Sequence, residues 1–355
     1  MKRIWRYSIS TVLLGGLALA LAGAGYVYWS GLQPVKSGSE SFIVEPGSGV
    51  NRIAARLVEE NIIDEPYTFV LWAHARDYTR RLHAGEYRIP PDASVDELLQ
   101  RFARGDVIQR AVTLIEGHTF EDFRRTLYQA EKLRIETRDL SGAAIMQRLD
   151  AGEQEPEGRF FPDTYHYTAD MSDLDILEQA YKAMQKVLDE EWQARDETVA
   201  LKDRDEALVL ASIIEKETGA HGERRTISAV FHNRLEKGMR LQTDPTVIYG
   251  LGEEFDGNLT RTHLRTDTPY NTYTRAGLPP TPIAMPGRAS IHAALNPGDS
   301  PALYFVSRGD GSHEFSETLA EHNRAVAKYQ LNGRRPASRD EDDNEEAQDS
   351  AQQEE

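Results

Sequence analysis

Glu215 closes a run of apolar and small residues, Leu208-Val209-Leu210-Ala211-Ser212-Ile213-Ile214. A helix of that composition is buried on nearly all sides. A carboxyl at its end faces desolvation and the negative end of the helix dipole, and both favour its protonated form. A carboxyl protonated at neutral pH is what a general acid needs. The same position also suits a residue that merely marks where the helix emerges into solvent. Glu217 is the competitor, but two residues along a helix is a turn of about 200°, so the two glutamates cannot act as one pair. Arg234 shares a stripe with Ile227, Val230 and Phe231. It is read as a partly buried guanidinium needing a carboxylate, which would make one of Glu215 and Glu217 structural and the other catalytic, or as a side chain that snorkels to the surface.

Other polar residues are less specific. Gln242, Thr243 and Asp244 precede Pro245, where Asp244 is expected as a helix N-cap. In Tyr270-Asn271-Thr272-Tyr273, Asn271 and Tyr273 offer an amide and an aromatic face of the kind that binds sugars, in a loop where the same types also make turns. Gln242, Asp244, Asn271 and Tyr273 are therefore the substrate-binding candidates. Asp163 is expected to shape its own loop. Ten histidines, among them His221 and His232, show no metal-binding spacing, and the absence of cysteine removes thiolate and disulfide chemistry. No metal and no cofactor are expected.

The elements that must position these residues are legible in outline. Ser8 to Trp29 carries no charge, follows Lys2, Arg3 and Arg6, and ends in Tyr26, Tyr28 and Trp29. About 22 helical residues span roughly 33 Å, enough to cross a bilayer core. The positive-inside rule then leaves the amino terminus in the cytoplasm and exports the rest. A cleaved signal peptide is the rival reading, because Ala20-Leu21-Ala22-Gly23 suits cleavage. After a linker, FIVEPGSGVNRIAARL (42–57) and YRIPPDASVDELLQRF (87–102) echo each other as strand, turn and amphipathic helix, and Leu114 to Phe120 opens a third such unit. Helices are expected over about 174–195, 205–218 (ending before Gly219), 222–237 and 319–329, with a hairpin of 303–308 and 313–316 around Gly309-Asp310-Gly311. Short strands among helices, without a βαβ repeat, make the fold class α+β. The 355 residues carry 41 basic and 58 acidic side chains, a net charge of -17, which argues against nucleic acid as a partner. The stretch 339–355 holds nine acids and one arginine and is expected to be a disordered tail.

Four motifs in order carry a family resemblance: ASIIEKET (211–218), FHNRLEKGMRLQTDPTVIYG (231–250), YNTYTRAGLPPTPIAMPG (270–287) and ALYFVSRGDGSHEF (302–315). With the aromatic loop FFPDTY, they resemble the MltG (YceG-like) family of membrane-anchored endolytic murein transglycosylases. The resemblance implies a bacterial inner-membrane protein facing the periplasm, a catalytic Glu215 as the first glutamate of EKET, and peptidoglycan glycan strands as substrate. Peptidoglycan synthases are the partners it suggests. The segment FIVEPGSGVNRIAARL resembles a LysM-like glycan-binding module. The organisation that follows is an anchor (1–30), a linker (31–41), a LysM-like module (42–108), a YceG-like catalytic domain (109–332) and a tail (333–355). Two alternatives stay open. A wall-binding scaffold would have the same anchor and module. A conventional muramidase would need a second carboxylate to activate water, such as Glu223, Asp244 or Asp267.

Overall fold

The computed structural model describes residues 2–36, 40–217 and 222–331, with side chains from residue 13 onward. Thr218, Gly219, His221 and the acidic stretch lie outside the described residues. The first helix, α1 (Lys2–Gly31), contains the window Leu13–Gly31, which is long and apolar enough to cross a membrane.

The chain then divides into two units: residues 1–112 with 127–138 and 165–176, and the remainder. In the first, β1 (Ser41–Val44), α2 (Val50–Glu59), α3 (Pro66–Ala75), β2 (Gly85–Arg88) and α4 (Val95–Arg104) follow in order. β1 and β2 pair antiparallel, setting Phe42 opposite Tyr87. Alternation turns Phe42 and Val44 inward, where Phe69, Tyr87 and Phe102 meet them in a shared core. The echo therefore closes on itself, because the two strands of the repeated strand–turn–helix pattern are partners. Ser94 caps α4 in a reciprocal box with Glu97, as its turn chemistry predicts. α3 has apolar residues on all sides and so no stripe to betray it. Its readable signal is Glu65 before Pro66, and the Glu65 carboxylate accepts from Tyr67 N and Thr68 N.

Next come β3 (Arg110–Thr113), α5 (Phe120–Tyr128), α6 (Gly142–Arg148), β4 (Thr164–Tyr167) and α7 (Asp173–Gln193), with β3 and β4 paired. Thr119 and Asp122 cap the start of α5 reciprocally. The second unit is built around α8 (Arg204–Glu217), in which every side chain from Ala207 to Ile214 is buried. Around it lie α9 (Arg224–Glu236), α10 (Asp244–Leu251), α11 (Arg261–Arg265), α12 (Arg288–Leu295), the antiparallel hairpin β5 (Tyr304–Ser307) and β6 (His313–Ser316), and α13 (Leu319–Tyr329). Helices α8, α9 and α12 share one apolar core containing Leu208, Leu210, Ile214, Ile227, Phe231, Ile291 and Leu295. The two-stranded sheets and many helices bear out the α+β class.

Candidate active site

Glu215 occupies the last turn of α8 with its side chain only 7% exposed. Its Oε2 accepts from Gly287 N at 2.9 Å, and Arg224, at the start of α9, places Nη2 3.6 Å from Oε1. The buried carboxyl therefore has an N–H donor on one oxygen and a guanidinium near the other. α8 is locked to the segment before α12 by a second bond one turn earlier, Ile283 N to Ser212 Oγ at 3.0 Å. Small residues at 211 and 212 leave room for that segment to run along the helix.

The opposite wall comes from residues 116–118. Gly117 N donates to Met285 O at 2.9 Å, Met285 N donates to His118 O at 2.8 Å, and Lys216 Nζ reaches Gly117 O at 3.1 Å. Gly117 has φ +76°, and a Cβ there would sit 3.8 Å from Glu215 Cγ. The left-handed turn is what requires glycine here, since a Cβ would meet Glu215 only in ordinary van der Waals contact. Glu116 lies over Gly287: a Cβ on that glycine would come within 2.0 Å of Glu116 Oε1. A second carboxyl consequently stands beside Glu215, a residue that sequence spacing missed because 99 positions separate the two.

Glu217 faces elsewhere, as the helical angle requires. Thr243 Oγ1 donates to its Oε1, inside a buried threonine cluster where Thr243 N donates to Thr272 Oγ1 and Thr246 Oγ1 lies 2.8 Å from Thr272 Oγ1. Burial, reinforced by the charge of Asp244, pushes the Glu217 carboxyl up from its ordinary value. Arg234 does not snorkel, and it feels the charge of Glu217 without coming within salt-bridge distance of it. It is 8% exposed and donates to the carbonyls of Leu303, Arg240 and Leu241, with its guanidinium over the Tyr304 ring. The planar fork finds enough carbonyl acceptors to be buried without a contacting anion.

The binding candidates fall along one chain path. Gln242 takes φ +50°, a left-handed conformation that costs a non-glycine residue energy, and its N–H donates to Thr272 O. Asp244 is the first residue of α10, not its cap. Thr243 holds the N-cap position, its hydroxyl spent on Glu217, and Asp244 accepts from Tyr273 Oη. Asn271 is fully buried: Nδ2 donates to the carbonyls of His263, Leu264 and Thr266, and Oδ1 accepts from Tyr273 N. It also lines a cavity of about 290 Å³ with Pro269, Arg275 and Leu278. Of the carboxylates considered for water activation, Glu223 binds His313 through Nδ1 at 2.7 Å, and Asp267 forms a two-armed ion pair with Arg275 that holds it down to about 2. His232 lies buried, with Nε2 2.8 Å from Ala294 O, and burial pushes its pKa down, so the neutral ring donates there. Asp163 does shape its loop, accepting from Thr164 N at 2.7 Å. Among the described residues no group of three or more histidines and carboxylates could hold a metal ion.

Glu157 is the other carboxyl that sequence reasoning passed over. It precedes the aromatic loop and accepts from Phe120 N at 3.1 Å and Tyr249 Oη at 3.2 Å. Burial raises it to about 7, against the pull of those donors. It ties the first residue of α5 to α10.

A sequence profile described as the YceG-like family matches residues 42–328. A Bacillus subtilis protein named endolytic murein transglycosylase is 30% identical over 332 residues, covering 87% of this chain and 91% of that protein. A Streptococcus pneumoniae protein of the same name is 27% identical over 356 residues, covering 88% of this chain and 63% of the longer relative. The crystal structure of a yceG-like protein from Listeria monocytogenes superposes with a TM-score of 0.52 at 31% identity, covering 80% of this chain and 98% of the other.

Proposed function

This chain belongs to the YceG-like family, and from that membership we propose that it is an endolytic lytic transglycosylase of peptidoglycan with Glu215 as its general acid and base. The substrate bond is the β-1,4 link from N-acetylmuramic acid to N-acetylglucosamine inside a glycan strand. Glu215 gives its proton to the departing N-acetylglucosamine O4 as the C1–O4 bond breaks. The C6 hydroxyl of the same N-acetylmuramic acid attacks C1, and its proton passes to the Glu215 carboxylate. The acid is restored, a 1,6-anhydromuramyl end is left, and no water is consumed. These steps ask for one proton-carrying residue and no metal or cofactor, which is why one carboxyl can take both roles.

The observation that carries this reading is the setting of Glu215. Its carboxylate is nearly enclosed at the end of the buried helix, with Gly287 N–H on one oxygen and the Arg224 guanidinium near the other. Such donors stabilise the anion that exists midway through the cycle, after the proton has left and before it returns. Glu217, tied into the threonine cluster, serves the framework. Gln242, Asp244, Asn271 and Tyr273 belong to the loops that bind the strand, with Asn271 and Asp244 holding the Tyr273 backbone and hydroxyl.

The wider reading follows the same membership. α1 anchors the chain in the inner membrane through residues 8–29 and leaves the body in the periplasm. The 42–108 segment, whose paired strands enclose their own core, serves as a LysM-like module that holds glycan. Cutting nascent strands beside peptidoglycan synthases would end their elongation. Replacing Glu215 with Gln keeps an acceptor for Gly287 N–H but removes the proton. That variant should bind sacculi normally and release at least about a thousandfold fewer fragments per unit time. Retained cleavage would remove Glu215 from the reaction.

A further inference from the structure

Two carboxyls converge on one glycine. Glu215 Oε2 takes the Gly287 N–H at 2.9 Å, and Glu116 Oε1 reaches within 2.0 Å of where a Gly287 Cβ would stand. Those two distances and the fixed span from N to Cβ hold the carboxyl oxygens within about 7.5 Å of each other. They differ in environment: Glu215 is enclosed, whereas Glu116 is exposed. Cations stand beside them. Arg224 is 3.6 Å from Glu215, Lys216 is fixed to Gly117 O, and the amino-terminal end of α12 begins at Gly287. The Glu116 backbone is itself anchored, because the next two residues are bonded to Met285 on both sides.

We propose that Glu116 is a second catalytic residue, whose ionised carboxylate faces the glycan beside Glu215 and stabilises the positive charge that develops at C1 and the ring oxygen. Breaking a glycosidic bond passes through an oxocarbenium-like state, and a carboxylate near it lowers the barrier without forming a bond. Glu215 remains the proton carrier. The role rests on the reaction proposed above. With φ −77° the Gly287 backbone suits any residue, and a Cβ there would meet only the end of the Glu116 side chain, which would have to swing away from Glu215.

The test uses the full-length protein in detergent with soluble glycan strands. Glu116→Gln should lower kcat ten- to a hundredfold, with KM and melting temperature close to wild type. Glu116→Asp should recover part of the loss. Gly287→Ala keeps the N–H donor to Glu215 but displaces the Glu116 carboxyl, so it should lower kcat similarly, and the double variant should lose little more. A purely structural Glu116, helping to cap α12, predicts a lower melting temperature with kcat unchanged. Wild-type kcat in Glu116→Gln, or additive losses in the double variant, overturns the proposal. The ends made by the wild type are read in the same assay. Hydrated ends would refute the lytic reaction while leaving the Glu116 dependence to be judged on kcat alone.

Discussion

At the scale of single residues, buried carboxyls set the pH response. Glu157 is raised from an ordinary 4.5 to about 7 by burial, and Glu217 is raised for the same reason. Between those values the folded protein binds more protons than the unfolded chain, so stability falls as pH rises. Glu157 alone accounts for about 3 kcal/mol across pH 4.5 to 7. Thermal melts should therefore show the melting temperature dropping over that window. In Glu157→Gln, which keeps an acceptor for Phe120 N, the drop should shrink to what Glu217 leaves against the opposing rise from His232, whose pKa burial pushes down. An unchanged slope in the variant would contradict the assignment. Exposed ion pairs such as Asp267–Arg275, with the carboxylate near 2, act only below this window and with opposite sign. Glu215 and Glu217 were legible as candidates because an apolar run ending in carboxylates is a local pattern, and the family resemblance, not that pattern, chose between them. Glu116 and Glu157 were not, since each matters through a neighbour far along the chain, Gly287 for one and Tyr249 for the other. Arg234 misled for a related reason: its stripe revealed its burial, while its carbonyl acceptors lie on loops that periodicity does not place.

At the scale of elements, the site depends on how tightly irregular segments hug α8. Gly158, with φ +78°, presses on Pro282 so closely that a Cβ would lie 2.4 Å from the ring, and Leu208 of α8 stands just beyond. A proline ring held between α8 and the chain that leads to Ile283 has little freedom to give way. Gly158→Ala should thus combine left-handed strain of about 1 kcal/mol with an overpacking cost of 1–3 kcal/mol. A urea melt showing a loss of about 2–4 kcal/mol would agree, and a loss below about 0.5 kcal/mol would mean that the contact yields. Helices with a stripe or a cap, such as α4, α9 and α13, were readable within a residue or two. α3 and the short helices α11 and α12 were not, and of α10 only the start beside Pro245 was. α3 lacks a polar face, and α10 to α12 lie among the Pro- and Gly-rich turns that conceal them. The hairpin β5–β6 was readable because Gly309 and Gly311, at φ +87° and +89°, make the turn that the sequence advertises.

At the scale of the whole molecule, α1 and the two units divide the work proposed for the chain. The full-length protein should sediment with membranes through a high-salt wash and leave them only in detergent. A chain beginning at residue 32 should be soluble and still cleave purified glycan. Release of the intact protein by salt alone would argue against an anchor. The apolar helix α1, long enough to cross a membrane, was plain in the sequence because uncharged length is a local property. The division into two units was not, since residues 127–138 and 165–176 join the first unit from within the stretch read as catalytic. The central claim concerns bond chemistry, and mass spectrometry of the ends that the wild-type protein leaves on purified sacculi tests it most directly. Muropeptides ending in 1,6-anhydro-N-acetylmuramic acid, one water lighter than reducing ends and missing from the Glu215→Gln digest, are the predicted result. Reducing N-acetylmuramic acid ends from the wild type would contradict it.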